Sequence, residues 1–286
     1  RPITIRGINL HEHDPIRGHY VSPQLMEADI KLMKRNNFNA VRTSHYPHPP
    51  WFYELCTLYG MFVIDEANIE THGMKPYIGR LADNPYWHDA YMSRLTRMYY
   101  RDKTHPCIIG WSLGNEAGYG RVHDEMAAWI RSVDSTRFIM YEPASYGPRV
   151  PPPGHEATLL SKEESAKTPL ATDVLCPMYM RIGECIKLAN MFPDMPLILC
   201  EYSHMMGNSG GNLQDYWKAF NQYSRFQGGF IWDWVDQGIA VTDSQNRLKW
   251  AYGGDFGEAE HSGSFCLNGL NFPDRGLPWA LSPGNL

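Results

Sequence analysis

Short apolar runs alternate along the chain with stretches whose hydrophobic positions recur at helical spacing. The β-rich runs fall at residues 3–9, 38–44, 61–66 and 107–115, then at 137–142, 172–178, 196–202 and 228–234. Several are almost continuously apolar, such as Phe62-Val63-Ile64 and Leu197-Ile198-Leu199, as expected of parallel strands covered on both faces. Between them, Val122, Met126, Trp129, Ile130 and Val133 share one helical face, as do Leu213, Tyr216, Trp217 and Phe220. Ser22-Pro23 marks a helix start: a hydroxyl to cap the first N–H groups, then a proline whose missing N–H costs nothing there. Eight strand-like runs separated mostly by helical segments predict an α/β fold, a (β/α)8 TIM barrel filling residues 1–286 as a single domain. The stretch 143–170, in which Pro151-Pro152-Pro153 precedes a charged run, predicts a long loop after the fifth strand, and loops of that length are functional or disordered.

Composition narrows the partners. At 43% hydrophobic and 20% charged residues the chain is an ordinary globular one, and its 286 residues suit one large barrel. A formal net charge of −5 gives no electrostatic footprint for nucleic acid or an acidic lipid surface. No apolar run approaches the roughly 18 residues that span a membrane. The six cysteines include no CxxC pair, and Cys107, Cys176 and Cys200 lie in apolar runs, the setting of reduced core thiols, so a cytoplasmic location is expected. The chain opens on Arg1-Pro2 with neither an initiator Met nor a signal-peptide pattern, and is expected to be an excised or processed domain, a fragment of a larger protein. No Gly-rich phosphate-cradling fingerprint follows any strand, which argues against a nucleotide-dependent oxidoreductase on the same fold.

In such a barrel the active site is built from the C-terminal ends of the strands. Those ends carry His11-Glu12-His13, Arg42-Thr43-Ser44-His45-Tyr46, Asp65-Glu66, Asn115-Glu116, Tyr179, Glu201-Tyr202-Ser203-His204 and Trp232-Asp233-Trp234. Glu116 closes the fourth run and Glu201 the seventh, so their carboxylates are expected to face each other across the mouth. An isolated glutamate there reads as a rim ion pair. Two at matching strand ends favour the carboxylate pair of a glycosidase, one acid then base, the other nucleophile.

The runs Arg6-Gly7-Ile8-Asn9-Leu10-His11-Glu12-His13, Val41-Arg42-Thr43-Ser44-His45-Tyr46-Pro47 and Asp65-Glu66-Ala67-Asn68-Ile69-Glu70-Thr71-His72-Gly73 resemble the large bacterial β-galactosidases of glycoside hydrolase family two. So do Trp111-Ser112-Leu113-Gly114-Asn115-Glu116, Cys200-Glu201-Tyr202-Ser203-His204-Met205-Met206-Gly207-Asn208-Ser209 and Trp232-Asp233-Trp234-Val235-Asp236-Gln237. The resemblance implies a retaining enzyme acting on small-molecule β-galactosides, with Glu116 as acid/base and Glu201 as nucleophile. It implies that Asn115 binds the sugar 2-hydroxyl, that His11 and His45 contact the galactosyl unit, and that Tyr179 sits by the nucleophile. His204 would lie near the 6-hydroxyl and Trp232 would offer an apolar platform. Glu70, His72 and Glu116 resemble a Mg2+ site, and Phe265 and Asn268 resemble part of a Na+ site. The family's full-length members carry flanking domains that this chain lacks and are expected to form homo-oligomers. The 143–170 loop and the short 179–196 segment depart from the family pattern. A β-glucuronidase or β-mannosidase of the same family would share the glutamate pair, and a non-catalytic carbohydrate-binding barrel is the reading from outside enzymology.

Overall fold

The apolar runs pair side by side as parallel strands, and the sheet they form curls into the wall of a barrel. A computed structural model describes residues 3–74, 80–146 and 170–276. The strands are β1 (Ile5–Asn9), β2 (Ala40–Arg42), β3 (Phe62–Glu66), β4 (Ile108–Ser112), β5 (Phe138–Met140), β6 (Leu197–Tyr202) and β7 (Phe226–Ile231). They lie in the order β5-β4-β3-β2-β1-β7-β6, and every pairing is parallel. Among the described residues, seven regular barrel strands therefore stand where eight are expected.

Residues 172–178, the sixth expected strand, run between β5 and β6 without forming a regular ladder. Leu175 and Met178 make isolated parallel bridges to Leu197 and Glu201, and Asp173 N–H donates to Ile139 O at 2.9 Å. On the β5 side, however, side chains take the place of backbone acceptors. Ile139 N–H donates to Asp173 Oδ2 at 2.7 Å and Tyr141 N–H to Thr172 Oγ1 at 3.3 Å. Pro177 has no N–H to give a ladder. Residues 143–146 of the long-loop stretch belong to a 3-10 turn, Glu142–Tyr146, and 147–169 lie outside the described residues.

The helices pack around this wall as α1 (Pro23–Arg35), α2 (Pro50–Tyr59), α3 (Arg80–Asp83), α4 (Pro85–Asp102), α5 (Arg121–Val133), α6 (Ile182–Met191) and α7 (Leu213–Gln222). Ser22 caps α1, accepting from Leu25 N–H at 3.2 Å, with Pro23 in the first turn. On α5, Val122, Met126 and Ile130 of the predicted face are buried and Trp129 is half-buried, whereas Val133, at the helix end, is exposed. A hairpin of β8 (Ile239–Thr242) and β9 (Leu248–Ala251) follows the barrel. Among the described residues no helix is long and apolar enough to cross a membrane.

Strand residues alternate between two cores. Ile5, Ala40, Ile64, Met140, Val174, Cys176, Ile198, Cys200 and Phe230 cluster together inside the barrel, whereas Ile8, Val41, Val63, Ile108, Ile139, Leu199 and Ile231 pack against the helices. Space inside is tight: a Cβ on Gly7 would come within 2.3 Å of the Phe230 ring, so only glycine fits beside that ring. Continuing the inward rows toward the strand ends replaces apolar residues by Asn9, Arg42, Glu66 and Ser112, all buried. Polar groups at that depth must find partners within the protein. Those partners are the strand-end residues of the barrel mouth.

Candidate active site

One guanidinium organises the floor of the mouth. Arg42 Nε and Nη2 lie 2.7 and 3.0 Å from the two carboxylate oxygens of Glu66, the planar fork that suits arginine to carboxylate. Nη1 reaches Glu201 Oε1 at 2.8 Å and Asn9 Oδ1 at 3.1 Å, and Nη2 reaches Asn115 Oδ1 at 2.9 Å. The ends of β1, β2, β3, β4 and β6 thus meet on one cation. Glu66 also accepts from Ser112 Oγ at 2.6 Å. Burial alone pushes the Glu66 carboxyl upward, but the Arg42 charge and the His45 and Ser112 hydrogen bonds outweigh it and hold it at about 2.

Glu201 is adjacent to Cys200, which faces the barrel interior, yet its carboxylate also turns into the mouth. Pairing between β6 and β7 shifts register between Leu199 and Tyr202, a local irregularity of the kind that re-aims a side chain at a strand end. Its second oxygen, Oε2, accepts from Tyr179 Oη at 2.6 Å. Tyr179 is held by its own N–H on Glu201 O at 2.8 Å and is 40% exposed, so its ring opens to solvent. Burial, then the Glu201 charge, raises its phenol well above the ordinary range, and the hydroxyl stays a donor.

Three rings wall the pocket beside Glu201. His45 stacks on Trp232 at 5.2 Å, and His11 meets both edge-on at 5.3 and 5.1 Å. His45 Nδ1 lies 2.8 Å from Glu66 Oε1, which makes it the protonated nitrogen, while Nε2 is 3.9 Å from Glu201 Oε1. Burial lowers the His45 pKa against the Glu66 hydrogen bond, so the ring is neutral near pH 7. His204 lies 5.6 Å from the Tyr179 ring and 5.9 Å from Phe265. Trp232 is itself buried, with one face covered by His45.

Glu70, His72 and Glu116 form a second group, their nearest ligand atoms all within 4.8 Å of one another. Glu116 Oε2 is in direct contact with His72 Nδ1. Asn115 joins the two groups, donating Nδ2–H to Glu70 Oε2 at 3.3 Å and accepting from Arg42 Nη2 at Oδ1. Gly114 makes this approach possible. Its φ is +132°, and a Cβ there would lie 2.7 Å from Ile69 O. Farther round the rim, Asn268 Nδ2 donates to Phe265 O at 3.0 Å, while Asn268 Oδ1 is buried without a partner.

The residues given roles from the sequence therefore fall in three groups, whereas His13, Asp65 and Trp234, also named at the strand ends, bond instead to Gly238 O, Tyr53 and Asp29. Arg42 and Glu66 stand at the centre, although the strand-end reading gave them no role. The signal was there: a charged residue inside Ala40-Val41-Arg42, a buried strand, requires a buried counter-charge. Asp233, fully buried beside His11, is the other.

Residues 1–282 match the model for glycosyl hydrolases family 2, TIM barrel domain. The chain is 52% identical to a β-galactosidase of Pseudoalteromonas haloplanktis, covering 96% of this chain and 26% of that protein. It is 50% identical to a β-galactosidase of Pectobacterium atrosepticum over the same shares. The chain thus spans about a quarter of the length of these relatives. Among solved structures, a Ruminococcus gnavus β-glucuronidase superposes with a TM-score of 0.69 at 19% identity, covering 98% of this chain and 49% of that one. A family 2 member from Bacteroides cellulosilyticus gives 0.62 at 23% identity, over 83% and 29%. At those identities the structural matches speak to the fold alone.

Proposed function

This chain belongs to glycosyl hydrolase family 2, as its TIM barrel domain, and on that premise we propose that it is the catalytic barrel of a retaining β-galactosidase. The observation that carries the reading is the Arg42 centre, which holds Glu201 and Asn115 on one guanidinium while Tyr179 takes the other oxygen of Glu201. A carboxylate fixed at both oxygens is pre-aimed, as a nucleophile must be. In this reading Glu201 attacks the anomeric carbon, forming a covalent galactosyl-enzyme, and Glu116 first protonates the departing oxygen, then activates water. Asn115 would bind the 2-hydroxyl, with its amide already oriented by Arg42 and Glu70. His11, His45, His204 and Trp232 would line the galactosyl pocket. Relatives of about 50% identity that bear the β-galactosidase name support galactose as the sugar. Their fourfold greater length supports flanking domains and a larger assembly around this barrel.

The test is incubation with a 2-deoxy-2-fluoro-β-galactoside bearing a good leaving group, followed by intact mass and peptide mapping. A single adduct on Glu201 is expected. An adduct on another carboxylate overturns the assignment, and labelling only by the glucuronide or mannoside analogue overturns the sugar.

The second group fits a divalent cation. Magnesium prefers oxygen donors at about 2.0–2.1 Å and keeps several waters, so two of its ligands lie at most about 4.2 Å apart. Three ligands of one octahedral ion include at most one opposite pair and the others sit about 3 Å apart, so the Glu70, His72 and Glu116 donors, all within 4.8 Å of one another, would close on the ion by side-chain adjustment. Bound there, the ion would supply positive charge beside Glu116. Phe265 O and the unpartnered Asn268 Oδ1 would in the same way hold Na+. Thorough EDTA treatment is expected to lower the turnover of an aryl galactoside without unfolding the chain, and added Mg2+ to restore it. An unchanged rate would remove the cation from the reading.

A further inference from the structure

The pocket walls fix the plane of His11 but leave one choice open. His45 and Trp232 each meet the imidazole edge-on, with ring centroids 5.3 and 5.1 Å away. This packing is nearly indifferent to a half-turn about Cβ–Cγ, which exchanges Nδ1 with Cδ2 and Nε2 with Cε1. The two ring nitrogens do different work, one a donor and one an acceptor in the neutral ring. What distinguishes them here is Asp233: His11 Nδ1 is buried without a hydrogen-bond partner, and Asp233 Oδ2 lies 3.5 Å from it.

Asp233 is unusual in its own right. It is completely buried, and its backbone is tied on both sides, N–H to Asn268 O at 3.0 Å and O from Leu270 N–H at 2.9 Å. Its side chain accepts from Gln237 Nε2 at 3.0 Å, on the oxygen that also faces His11. Its other oxygen, Oδ1, is buried with no partner. A buried carboxylate with so few donors is costly to maintain, and the ring beside it is a group that a carboxylate can orient.

We propose that Asp233 is a positioning residue that acts through His11, drawing Nδ1–H inward so that bare Nε2 faces the pocket as an acceptor for a sugar hydroxyl. The proposal rests on the reading of this pocket as the galactosyl site. Gln237 pins the carboxylate with that oxygen 3.5 Å from His11 Nδ1, so that a small closure brings the ring N–H onto it. The imidazole edge turned to the pocket then accepts rather than donates, and a hydroxyl that gives its proton to Nε2 is the group the site would select.

The tautomer can be read directly by 15N NMR on the histidine-labelled chain, with the His11 signals assigned by their loss in His11→Gln. The wild-type ring is expected to be protonated at Nδ1. Asp233→Asn keeps an acceptor, oriented by Gln237, and should keep that tautomer. Asp233→Leu should shift His11 toward the Nε2–H form. A wild-type ring protonated at Nε2, or a tautomer unmoved in a folded Asp233→Leu, overturns the proposal, and the wild-type spectrum decides even if the leucine variant does not fold. On kcat/KM, Asp233→Leu should cost about ten- to a hundredfold, the range of outer partners that orient a functional imidazole, and Asp233→Asn under tenfold. In a His11→Ala background Asp233→Leu should cost nothing further; full additivity would mean that it acts elsewhere. Absence of galactoside turnover in the parent would sink the β-galactosidase reading and leave the NMR result to decide this one.

Discussion

Glu201→Gln is expected to lower kcat on an aryl β-galactoside by about 10^4-fold or more, the scale of loss when a nucleophile is removed, while the protein melts no lower than wild type. The first half follows from chemistry: a neutral amide cannot form the glycosyl ester. The second follows from the charge count of the floor. Arg42 is one cation between two buried carboxylates, Glu66 and Glu201, so the group carries an excess negative charge that burial penalises. The amide oxygen can still accept from Arg42 Nη1, and the amide nitrogen faces a Tyr179 hydroxyl able to accept in turn. Removing the excess charge while keeping the shape is expected to leave the melting temperature unchanged or raised, an instance of stability given up for function. Glu116→Gln offers the contrast. A general acid contributes about 10^2–10^4-fold, and its loss should be felt less with a phenolate that leaves without a proton. Steady-state rates on two leaving groups and a thermal melt check both halves. A Glu201→Gln enzyme within tenfold of wild type would place the nucleophile elsewhere.

The glutamates were legible because two local signals agree on them. Each closes an apolar run, and in a barrel the end of a run is the mouth. The barrel itself was legible because strands covered on both faces lose the alternation of half-exposed ones, leaving runs such as Leu197-Ile198-Leu199 that helices of clear period separate. Residues 172–178 carried the same apolar signature, but Thr172, Asp173 and Pro177 change which atoms bond, and no hydropathy pattern records that a side chain has replaced a carbonyl. The β8–β9 hairpin was missed for the opposite reason. It is largely exposed, with Leu248 62% accessible, so its hydrophobic pattern reports little burial. The Arg42 centre was the hardest to see. Its contact with Glu201 spans 159 residues, and charge pairing across that distance leaves no trace in spacing. Glu70 and His72 sit two apart and read as a pair, whereas Glu116 joined them only through resemblance to a known family.

Arg42 is where stability and function are most tightly coupled, and its replacement should disturb both. Arg42→Met keeps the length and apolar stem but leaves Glu66 and Glu201 facing each other without a cation. Breaking a buried ion pair from one side costs about 3–5 kcal/mol, because the remaining charge is uncompensated. Activity should fall at least a hundredfold as well, since Glu201 and Asn115 lose the group that aims them and misplacement by about 1 Å costs that much. The pH dependence separates this account from simple loss of packing. In the wild type, Glu66 sits at about 2 against an ordinary value of 4.5. Its contribution to stability is therefore fully present above pH 4.5 and is lost as pH falls toward 2. Without Arg42, burial dominates and raises the carboxyls, so the folded state binds more protons than the unfolded chain. Stability then rises as pH falls from 7 toward 5, the reverse of the wild-type trend at low pH. Urea unfolding of both proteins at pH 7 and pH 5 reads the sign directly. The deficit of Arg42→Met relative to wild type should be largest at pH 7 and shrink at pH 5. A deficit equal at both would mean that Arg42 acts through its stem rather than its charge, and that Glu201 is aimed by something other than the guanidinium.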